Sequence, residues 1–300
     1  MDILVLGGSY FLGRCFVKLA SKDHHVTVIN RGNAPLAMEN VTELVCDRRD
    51  MKALKELELQ KKYDVLVDFC GYRKNDIKLV LRSIKADINQ YIFVSTVDVY
   101  KRGTGEKIDE SFPYETRDFG GEAGEYILGK VALEEELRSE CEKKGIAYTS
   151  VRPAFIYGEG NYAPRENIYF KWIKNAGQII TPADSDGFFQ LVYVEDVARI
   201  LLDACGNKAY YDEAFNICDD ECITYKKWRD ILKAVTGAGL EDIKLSVEDI
   251  NKKRIPLPFP LTKTESNYYS GDKIKKLGAT YTDINEGLRK VWQAYIVPQQ

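Results

Sequence analysis

Short apolar runs alternate with amphipathic segments through the first half of the chain. The apolar runs predict β-strands over Ile3–Leu6, Val26–Asn30, Thr42–Val45, Val65–Phe69, Tyr91–Ser95 and Tyr148–Arg152. Helical periodicity predicts helices from Phe11, over Met51–Leu59 and Asp76–Ile84, and from about Tyr126 to Lys144. Strands that are apolar throughout and alternate with helices are typical of a parallel sheet covered on both faces. We therefore predict a doubly wound α/β fold, in which ligands bind at the carboxyl ends of the strands.

Composition narrows the class of protein. The 300 residues are 45% hydrophobic and 30% charged, which suits a globular protein with a substantial core. A net charge of −3 counts against a nucleic-acid partner, which usually requires a strongly basic surface. No apolar run approaches the length of a membrane span and no leader precedes Ile3, so we expect a cytoplasmic protein without a membrane partner. Seven scattered cysteines and only two histidines, His24 and His25, predict reduced thiols and no metal site.

The segment Val5–Arg14, "VLGGSYFLGR", joins the first strand to the first helix and predicts a dinucleotide-binding loop. Gly7 would make the tight turn, the helix amino terminus would offer N–H groups to a pyrophosphate, and Gly13 would let the helix approach the sheet. Tyr10 stands where such loops usually carry glycine. Its ring either covers the cofactor or points to solvent, and we expect weaker or differently posed binding rather than loss of the site. The predicted cradle comprises Gly7, Ser9, Tyr10, Phe11, Leu12 and Gly13.

The ends of the following strands carry candidates for the adenosine half of a cofactor. Asn30 stands where an acidic residue usually accepts the ribose hydroxyls, and Arg31 either binds a 2′-phosphate or is an ordinary solvated arginine. The cofactor is therefore NADP or NAD, with a slight preference for NADP. Asp47 could accept from the adenine amino group. We also assign Arg48, Cys70 and Gly71, which follow the third and fourth strands, to the cofactor site.

Tyr126 and Lys130, in "YILGK", are four residues apart and so share one helix face. Transfer of a hydride to a carbonyl needs a proton donor, and a phenol can work as a base near neutral pH only if a nearby cation lowers its pKa. Thr96 ends the preceding strand and could orient a substrate oxygen towards Tyr126. The alternative is a surface helix with a partly buried tyrosine. A second pair with this spacing, Tyr269 and Lys273, lies in a turn-rich stretch.

The second half of the chain has a looser pattern. A helix, short strands and a second helix are predicted after Gly158, and the proline-rich segment 254–270 is irregular. Long irregular segments in compact proteins are usually lids or binding surfaces. We predict that residues 1–160, together with 188–206, form a dinucleotide-binding Rossmann domain. Residues 161–187 and 207–300 would form a smaller C-terminal α/β substrate-binding lobe.

Six motifs occur in an order that resembles a known family. "GGSYFLG", Asp47, "STVDVY", "YILGK", "VRPAFIYGEG" and "LVYVEDVA" together resemble an extended short-chain dehydrogenase/reductase of the NAD-dependent epimerase/dehydratase group. The resemblance runs along nearly the whole chain, including "GDKIKKLGATYTDINEGLRKVW" near its end.

The resemblance implies a role for several residues. Thr96 and Tyr126 match the catalytic hydroxyls, and Lys130 matches the lysine that also binds the nicotinamide ribose. Pro153 and Phe155 match the segment beside the nicotinamide. The positions that usually contact substrate are Arg165, Gln190 and Tyr193. The family often dimerises through the tyrosine-bearing helix, so a homodimer is possible, although that helix carries few apolar residues besides Leu133 and Leu137.

Tyr10 and Asn30 depart from the family pattern. With "NRG" and "DFCGY", they make the chain similar to an atypical subgroup that includes chloroplast stem-loop RNA-binding proteins, whose members often lack the catalytic tyrosine pair. This chain keeps the pair. Our first hypothesis is therefore an NAD(P)-dependent oxidoreductase or epimerase-type enzyme that acts on a sugar nucleotide or similar hydroxylated substrate; the choice between epimerase, dehydratase and reductase stays open. The alternative is a non-catalytic RNA-binding or nucleotide-sensing protein of the same fold.

Overall fold

A computed structural model describes residues 1–103, 105–237 and 239–297, so position 104 of the predicted Rossmann domain and positions 238 and 298–300 of the predicted lobe lie outside the described residues. The strands are β1 Asp2–Leu6, β2 His25–Asn30, β3 Val41–Val45, β4 Lys62–Asp68, β5 Asp87–Val94, β6 Lys107–Ile108, β7 Ala147–Pro153, β8 Phe155–Tyr157, β9 Gln178–Pro182, β10 Phe188–Phe189, β11 Leu191–Tyr193, β12 Glu213–Ile217, β13 Ile223–Thr224, β14 Glu241–Leu245 and β15 Tyr268–Tyr269. The helices are α1 Phe11–Ala20, α2 Met51–Glu56, α3 Asp76–Ser83, α4 Gly121–Lys144, α5 Glu166–Ala176, α6 Val194–Ala204, α7 Tyr225–Thr236, α8 Val247–Lys253, α9 Asp272–Lys275 and α10 Ile284–Ile296.

Seven strands form one parallel sheet in the order β12-β7-β5-β4-β1-β2-β3. Because β1 lies between β2 and β4, the chain builds the sheet outward in both directions from its first strand. The helices that follow β1 and β4, α1 and α3, therefore pack on opposite faces of the sheet, and folds with such a change of direction bind ligands at the carboxyl edge there. This arrangement confirms the predicted α/β fold with a doubly wound parallel-sheet Rossmann domain.

Alternating side chains of the central strands serve two separate cores. Ile3 and Val5 pack into the core under α1 and α6, whereas Leu4 and Leu6 pack into the core under α2, α3 and α4. All four side chains are fully buried. Strands that are buried on both faces need apolar residues at every position, which explains their continuous apolar runs in the sequence.

Strand β12 corrects part of the predicted domain division. We assigned residues 207–300 to the smaller lobe, but Glu213–Ile217 pairs in parallel with β7 and so belongs to the main sheet. The connection from β7 to β12 spans β8 to α6, and this long sequence separation hides the pairing. Helix α6, in the segment 188–206, packs against α1. The rest of the division stays a prediction.

The C-terminal part of the chain builds a smaller α/β unit beside the sheet edge. β9 pairs with β14, and α7 packs against α10 and β9. Phe189 and Phe259 stack with their ring centroids 3.8 Å apart, and the ring of Trp228 meets both edge-on. These aromatic residues join the segment after α8 to strand β10 and form a rigid wall near the carboxyl edge of the sheet.

Membrane-spanning helices and clusters of metal-ligating side chains are both absent from the described residues. No helix within 1–103, 105–237 and 239–297 is both long and apolar enough to span a membrane. In the same ranges, no three His, Cys, Asp or Glu side chains are grouped so that they could hold a metal ion.

Candidate active site

The loop after β1 has the geometry of a phosphate-binding turn. Gly7 has a φ of +92° and Gly8 a φ of +80°, conformations that side chains rarely adopt. A Cβ on Gly13 would lie 2.7 Å from the Cα of Gly8, so only glycine lets α1 begin this close to the turn. The spacing of glycines in the sequence is thus explained by the backbone.

Tyr10 fits this loop without strain. Its φ of −127° and ψ of 151° are extended values that any residue adopts, and its ring is 56% exposed. The next residue, Phe11, has the unusual φ of +40° instead, and its ring packs edge-on against Tyr162 at a centroid distance of 6.2 Å. The bulky residue at the usual glycine position therefore leaves the turn intact.

The amino terminus of α1 has the features of a diphosphate site. The helix begins at Phe11, Tyr10 provides no side-chain cap, and the first turn contains no acidic residue. Ser9 is buried, and its Oγ has no hydrogen-bond partner among the described residues. Free N–H groups, the helix dipole and an unpartnered hydroxyl together suit a pyrophosphate. Leu12 is buried in the core, so only its backbone could take part.

The end of β2 carries a hydrogen-bonded pair that sequence reasoning missed. The amide of Asn30 donates to Oε1 of Glu43, on β3, at 2.5 Å, and its Oδ1 accepts from the N–H of Gly32 at 2.6 Å. The other Glu43 oxygen accepts from the N–H of Leu36 at 3.2 Å. Arg31 is exposed, and its side chain has no partner in the part of the chain that the structure describes. A carboxylate is thus present beside Asn30, but it comes from the neighbouring strand.

Asp47 and Arg48 follow β3 and lie in different environments. Asp47 is exposed and accepts from the N–H of Arg49 at 2.9 Å. Arg48 is buried and donates to both oxygens of Asp68, at 2.6 and 2.9 Å. Burial alone would raise the pKa of Asp68, but Arg48 and the hydrogen bonds from Arg48, Tyr91 and the Cys70 N–H hold it below its usual value. Arg48 therefore makes a structural ion pair at the edge of the predicted cofactor site.

Cys70 and Gly71 bring the loop after β4 close to both the glycine turn and α4. A Cβ on Gly7 would lie 3.4 Å from the Cys70 side chain, and a Cβ on Gly71 would lie 2.9 Å from the ring of Phe93. Burial, followed by the charge of Asp68, raises the pKa of the Cys70 thiol to about 11, so the thiol is neutral at physiological pH. Cys70 packs against the site and lacks the low pKa of a nucleophile.

Tyr126 lies in the second turn of α4, because this helix begins at Gly121 rather than near Tyr126 as predicted. Burial and the charge of Asp98 raise the pKa of Tyr126, while a hydrogen bond with Thr96 acts in the opposite direction. Thr96 Oγ1 lies 3.2 Å from Asp98 Oδ2 and accepts from the Asp98 N–H. The structure thus brings the two predicted catalytic hydroxyls together and adds a carboxylate beside them.

Lys130 is buried one turn further along α4. Its Nζ donates to the carbonyl oxygen of Val94 at 2.8 Å and lies 5.8 Å from the ring centroid of Tyr126. Burial lowers the pKa of Lys130 to about 8, although Asp68 and Cys70 act to raise it. The Lys130 ammonium is not among the largest effects on the pKa of Tyr126. The raised pKa means that Tyr126 is a neutral phenol at physiological pH.

A cleft of about 540 Å³, partly open to solvent, lies beside these residues. Five predicted residues line it: Thr96, Pro153, Phe155, Arg165 and Gln190. The segment after α8, which we predicted to be a lid or binding surface, contributes Pro260, Glu265, Asn267 and Tyr269. Arg165 lies over the Phe155 ring at 5.0 Å. Hydroxyl groups, aromatic side chains and a guanidinium therefore line the same cleft.

The remaining predicted residues, Gln190, Tyr193 and the second tyrosine–lysine pair, are less available to a substrate in this cleft. Gln190 lines the cleft, but its amide is bound to the backbone of Asp219 and Tyr269. Tyr193 does not line this cleft; it lines a second cavity with Tyr157 on the far side of β11. In the second tyrosine–lysine pair, Lys273 binds Glu213 and the Ala214 carbonyl, away from Tyr126.

Asp98 and Arg102 also line the cleft, and sequence reasoning did not single them out. They form an ion pair with each other. The available signal was the spacing in "STVDVY", since a short 3₁₀ turn at 97–99 brings Asp98 back to the Thr96 side chain.

Comparison with known proteins identifies the family of this chain. The model of the NAD dependent epimerase/dehydratase family matches residues 3–218, and the chain belongs to this family. Its class is therefore that of NAD-dependent epimerases and dehydratases, and the glycine turn and tyrosine–lysine helix described above both lie within the matched residues.

Individual proteins give the likeness in more detail. The chain is 28% identical over 252 residues, 79% of its length, to the chloroplast stem-loop binding protein of 41 kDa b of Arabidopsis thaliana, and the match spans 63% of that relative. Two solved structures share the fold over 98% of the chain. UDP-glucose 4-epimerase of Thermotoga maritima is 20% identical, with a TM-score of 0.79 and 98% of that chain covered. UDP-glucose 4-epimerase of Thermus thermophilus in complex with NAD is 18% identical, with a TM-score of 0.76 and 99% of that chain covered.

Proposed function

We propose that the protein is an NAD(P)-dependent epimerase-type oxidoreductase that acts on a sugar nucleotide or a similar hydroxylated substrate through Thr96, Tyr126 and Lys130. The observation that carries this proposal is the closeness of Tyr126 to Thr96, a cleft-lining residue that acts to lower the tyrosine pKa, with Lys130 one turn further along the same helix. Family membership supports the class of reaction.

The residues of the first loop fit a nicotinamide dinucleotide. Gly7, Gly8 and Gly13 let the turn pack closely against the sheet and α1, and the Ser9 hydroxyl is buried without a partner among the described residues. Lys130 would hold the nicotinamide-side ribose, with Pro153 and Phe155 beside the nicotinamide. When bound, the cofactor supplies an acceptor or donor for hydride at its nicotinamide ring.

The side chains of the chain would move and hold the proton. Tyr126, a phenol at neutral pH, would give its proton to a substrate carbonyl oxygen that becomes a hydroxyl, and would take it back in the reverse direction. Thr96 would bond the same substrate oxygen and hold it towards the phenol. Lys130, one turn away on the same helix, would stabilise the negative charge that develops on Tyr126 when the phenol gives up its proton.

The cleft chemistry suits a phosphorylated sugar. Arg165 and Arg102 supply guanidinium groups at the rim, which match a diphosphate, and Phe155 supplies an aromatic face. The two similar solved structures are UDP-glucose 4-epimerases, and this supports a sugar nucleotide as the class to test first. Tyr193, which lies in the second cavity, is left out of the proposed substrate site.

Three finer assignments belong to this proposal. The guanidinium of Arg31, which is exposed and has no partner among the described residues, supports a slight preference for NADP over NAD. The seven free cysteines support a cytoplasmic location. A homodimer through α4 remains proposed, but not through Leu133 and Leu137, because both leucines are buried in the core of their own chain.

The decisive experiment compares Tyr126→Phe with the wild-type protein. Sugar nucleotides are screened for turnover by chromatography and by the near-ultraviolet absorbance of reduced nicotinamide. Tyr126→Phe is expected to lose at least about 100-fold in turnover, because the proton donor is gone, while cofactor affinity changes only a few-fold. The matched control is Tyr268→Phe, whose ring lies outside the cleft. Normal turnover in Tyr126→Phe would overturn the assignment.

A second function is favoured by one observation. The 28% identical relative is a chloroplast stem-loop binding protein, and this supports RNA binding or nucleotide sensing as an alternative for this chain. Filter binding of a stem-loop RNA at physiological salt tests it. Retention at submicromolar protein, together with no affinity for either nicotinamide dinucleotide, would favour the alternative.

A further inference from the structure

The environment of Asn30 carries an inference about cofactor selectivity, and it rests on the proposed function. The orientation of the Asn30 amide is determined by its two partners. Glu43 can only accept and the Gly32 N–H can only donate, so the amide nitrogen must face Glu43 and the amide oxygen must face Gly32. One N–H and one lone pair of Asn30 are left over, and both can pair with a ribose hydroxyl.

Glu43 holds its charge in place at this point. Its carboxylate is bound at both oxygens, to Asn30 at 2.5 Å and to the Leu36 N–H at 3.2 Å. The strand register pairs Val28 with Glu43 and Asn30 with Val45, so the Glu43 side chain lies beside the last residues of β2 before the crevice. A negative charge is therefore fixed one side chain away from the group that would bind the adenosine ribose.

We propose that Glu43 is the specificity-determining residue that disfavours a 2′-phosphate on the cofactor. In dinucleotide-binding folds the acidic residue at the end of the second strand accepts the ribose hydroxyls. Here the third strand supplies the carboxylate, and Asn30 connects it to the ribose position. A phosphate bound near Asn30 would be close to Glu43, and like charges about 4–6 Å apart repel each other strongly.

Arg31 acts in the opposite direction. It is adjacent to Asn30, exposed and without a partner among the described residues, so its guanidinium can reach a 2′-phosphate. Selectivity between NAD and NADP is thus the balance of two neighbouring charges. Removal of Glu43 leaves the attraction alone and shifts selectivity towards NADP.

The test measures the dissociation constants of NADH and NADPH by fluorescence titration of the full chain. In Glu43→Gln, the ratio of the NADPH constant to the NADH constant is expected to fall roughly tenfold or more, while the NADH constant changes less than about threefold. The matched control is Glu39→Gln, which removes the same charge from the exposed loop next to β3 without touching Asn30. An unchanged ratio in Glu43→Gln, or an equal shift in Glu39→Gln, overturns the proposal.

A second measurement covers the case in which Glu43→Gln does not fold. Arg31→Ala removes an exposed side chain and leaves Glu43 as the nearest charge. Raising salt from about 50 mM to about 500 mM screens repulsion, so the ratio should fall in this variant, whereas a ratio that is constant or rises contradicts the proposal. Binding of neither NADH nor NADPH by the wild-type protein would overturn the cofactor function itself, a result distinct from an unchanged ratio.

Discussion

Helix α4 carries two buried charged residues one turn apart, Lys130 and Glu134, and only Glu134 has a partner of opposite charge in hydrogen-bond contact among the described residues. Glu134 binds Arg152, which also bonds the hydroxyls of Tyr100 and Tyr114. Lys130 has no carboxylate in hydrogen-bond contact among the described residues; it donates to one carbonyl oxygen and lies 4.6 Å from the Phe93 ring centroid. The two residues have the spacing of a helical ion pair, yet they do not pair.

The pKa values express this difference. Burial alone would raise the pKa of Glu134, but Arg152 more than offsets it and the pKa is lowered, so the carboxylate is stably charged. Burial lowers the pKa of Lys130 to about 8, because the charges of Asp68, Cys70 and Glu134 offset the burial only in part. A satisfied buried charge stabilises one conformation, whereas an unsatisfied one costs stability and is typical of functional sites. The contrast favours a place for the amino-terminal half of α4 in the candidate site and for the following turn in the scaffold.

The largest effect is expected from Arg152→Met. This change leaves the Glu134 carboxylate buried without its guanidinium, and breaking such a pair costs about 3–5 kcal/mol of the free energy of unfolding. Urea denaturation measures the loss. In the double variant with Glu134→Gln, part of it should return, because no uncompensated charge remains. The control Lys290→Met breaks an exposed pair and should have no measurable effect. A loss below about 1 kcal/mol in Arg152→Met would contradict the structural role of this pair.

Lys130→Met is expected to increase the free energy of unfolding, whereas Arg152→Met decreases it. The lowered pKa means that burying the ammonium reduces the free energy of unfolding by about 3 kcal/mol. Loss of the hydrogen bond to Val94 costs the variant about 1 kcal/mol, so its free energy of unfolding should be higher by about 2 kcal/mol at pH 7. Because the folded pKa lies below the unfolded value of about 10.4, the wild-type protein gains stability as pH rises from about 8 to about 10.4. The advantage of methionine should shrink across that window.

The control for Lys130→Met is Lys171→Met, an exposed lysine on α5 that should give no pH-dependent difference. Turnover should be lost in Lys130→Met. A less stable Lys130→Met protein, or an advantage that is independent of pH, would show that Lys130 belongs with the scaffold charges.

Much of the fold was predictable because it depends on local patterns. Continuous apolar runs and 3.6-residue periodicity identified the first six strands of the main sheet, since strands buried on both faces must be apolar throughout. β12 was missed as a sheet strand because its partner β7 lies some sixty residues earlier, and no local signal records such pairing. The start of α4 was also misplaced, since Gly120 and Gly121 at positive φ conceal its first turn.

The candidate site was predictable in its residue types and not in its contacts. The i, i+4 spacing of Tyr126 and Lys130 places both on one helix face wherever that helix lies. Arg48 binds Asp68 and Asn30 binds Glu43. Each partner comes from another strand, so only the tertiary structure reveals these contacts. The sequence also contains no sign that Tyr193 lines a different cavity from Gln190.

The smallest effect is expected from Asp98. Like Glu134 it pairs with an arginine, Arg102, but like Lys130 it faces the candidate site. Its carboxylate opposes ionisation of Tyr126, while Arg165 favours it. Asp98→Asn should therefore lower the pKa of Tyr126 and move the acid limb of the kcat/KM profile, measured in the direction of hydroxyl oxidation, to lower pH by up to about one unit. The backbone N–H at this position would still donate to Thr96 in the variant, so the turn should persist. The control Glu122→Gln removes an exposed charge from α4, the helix that carries Tyr126, and should leave the profile in place. A shift to higher pH in Asp98→Asn would mean that Asp98 acts by positioning Thr96, with its charge of secondary importance.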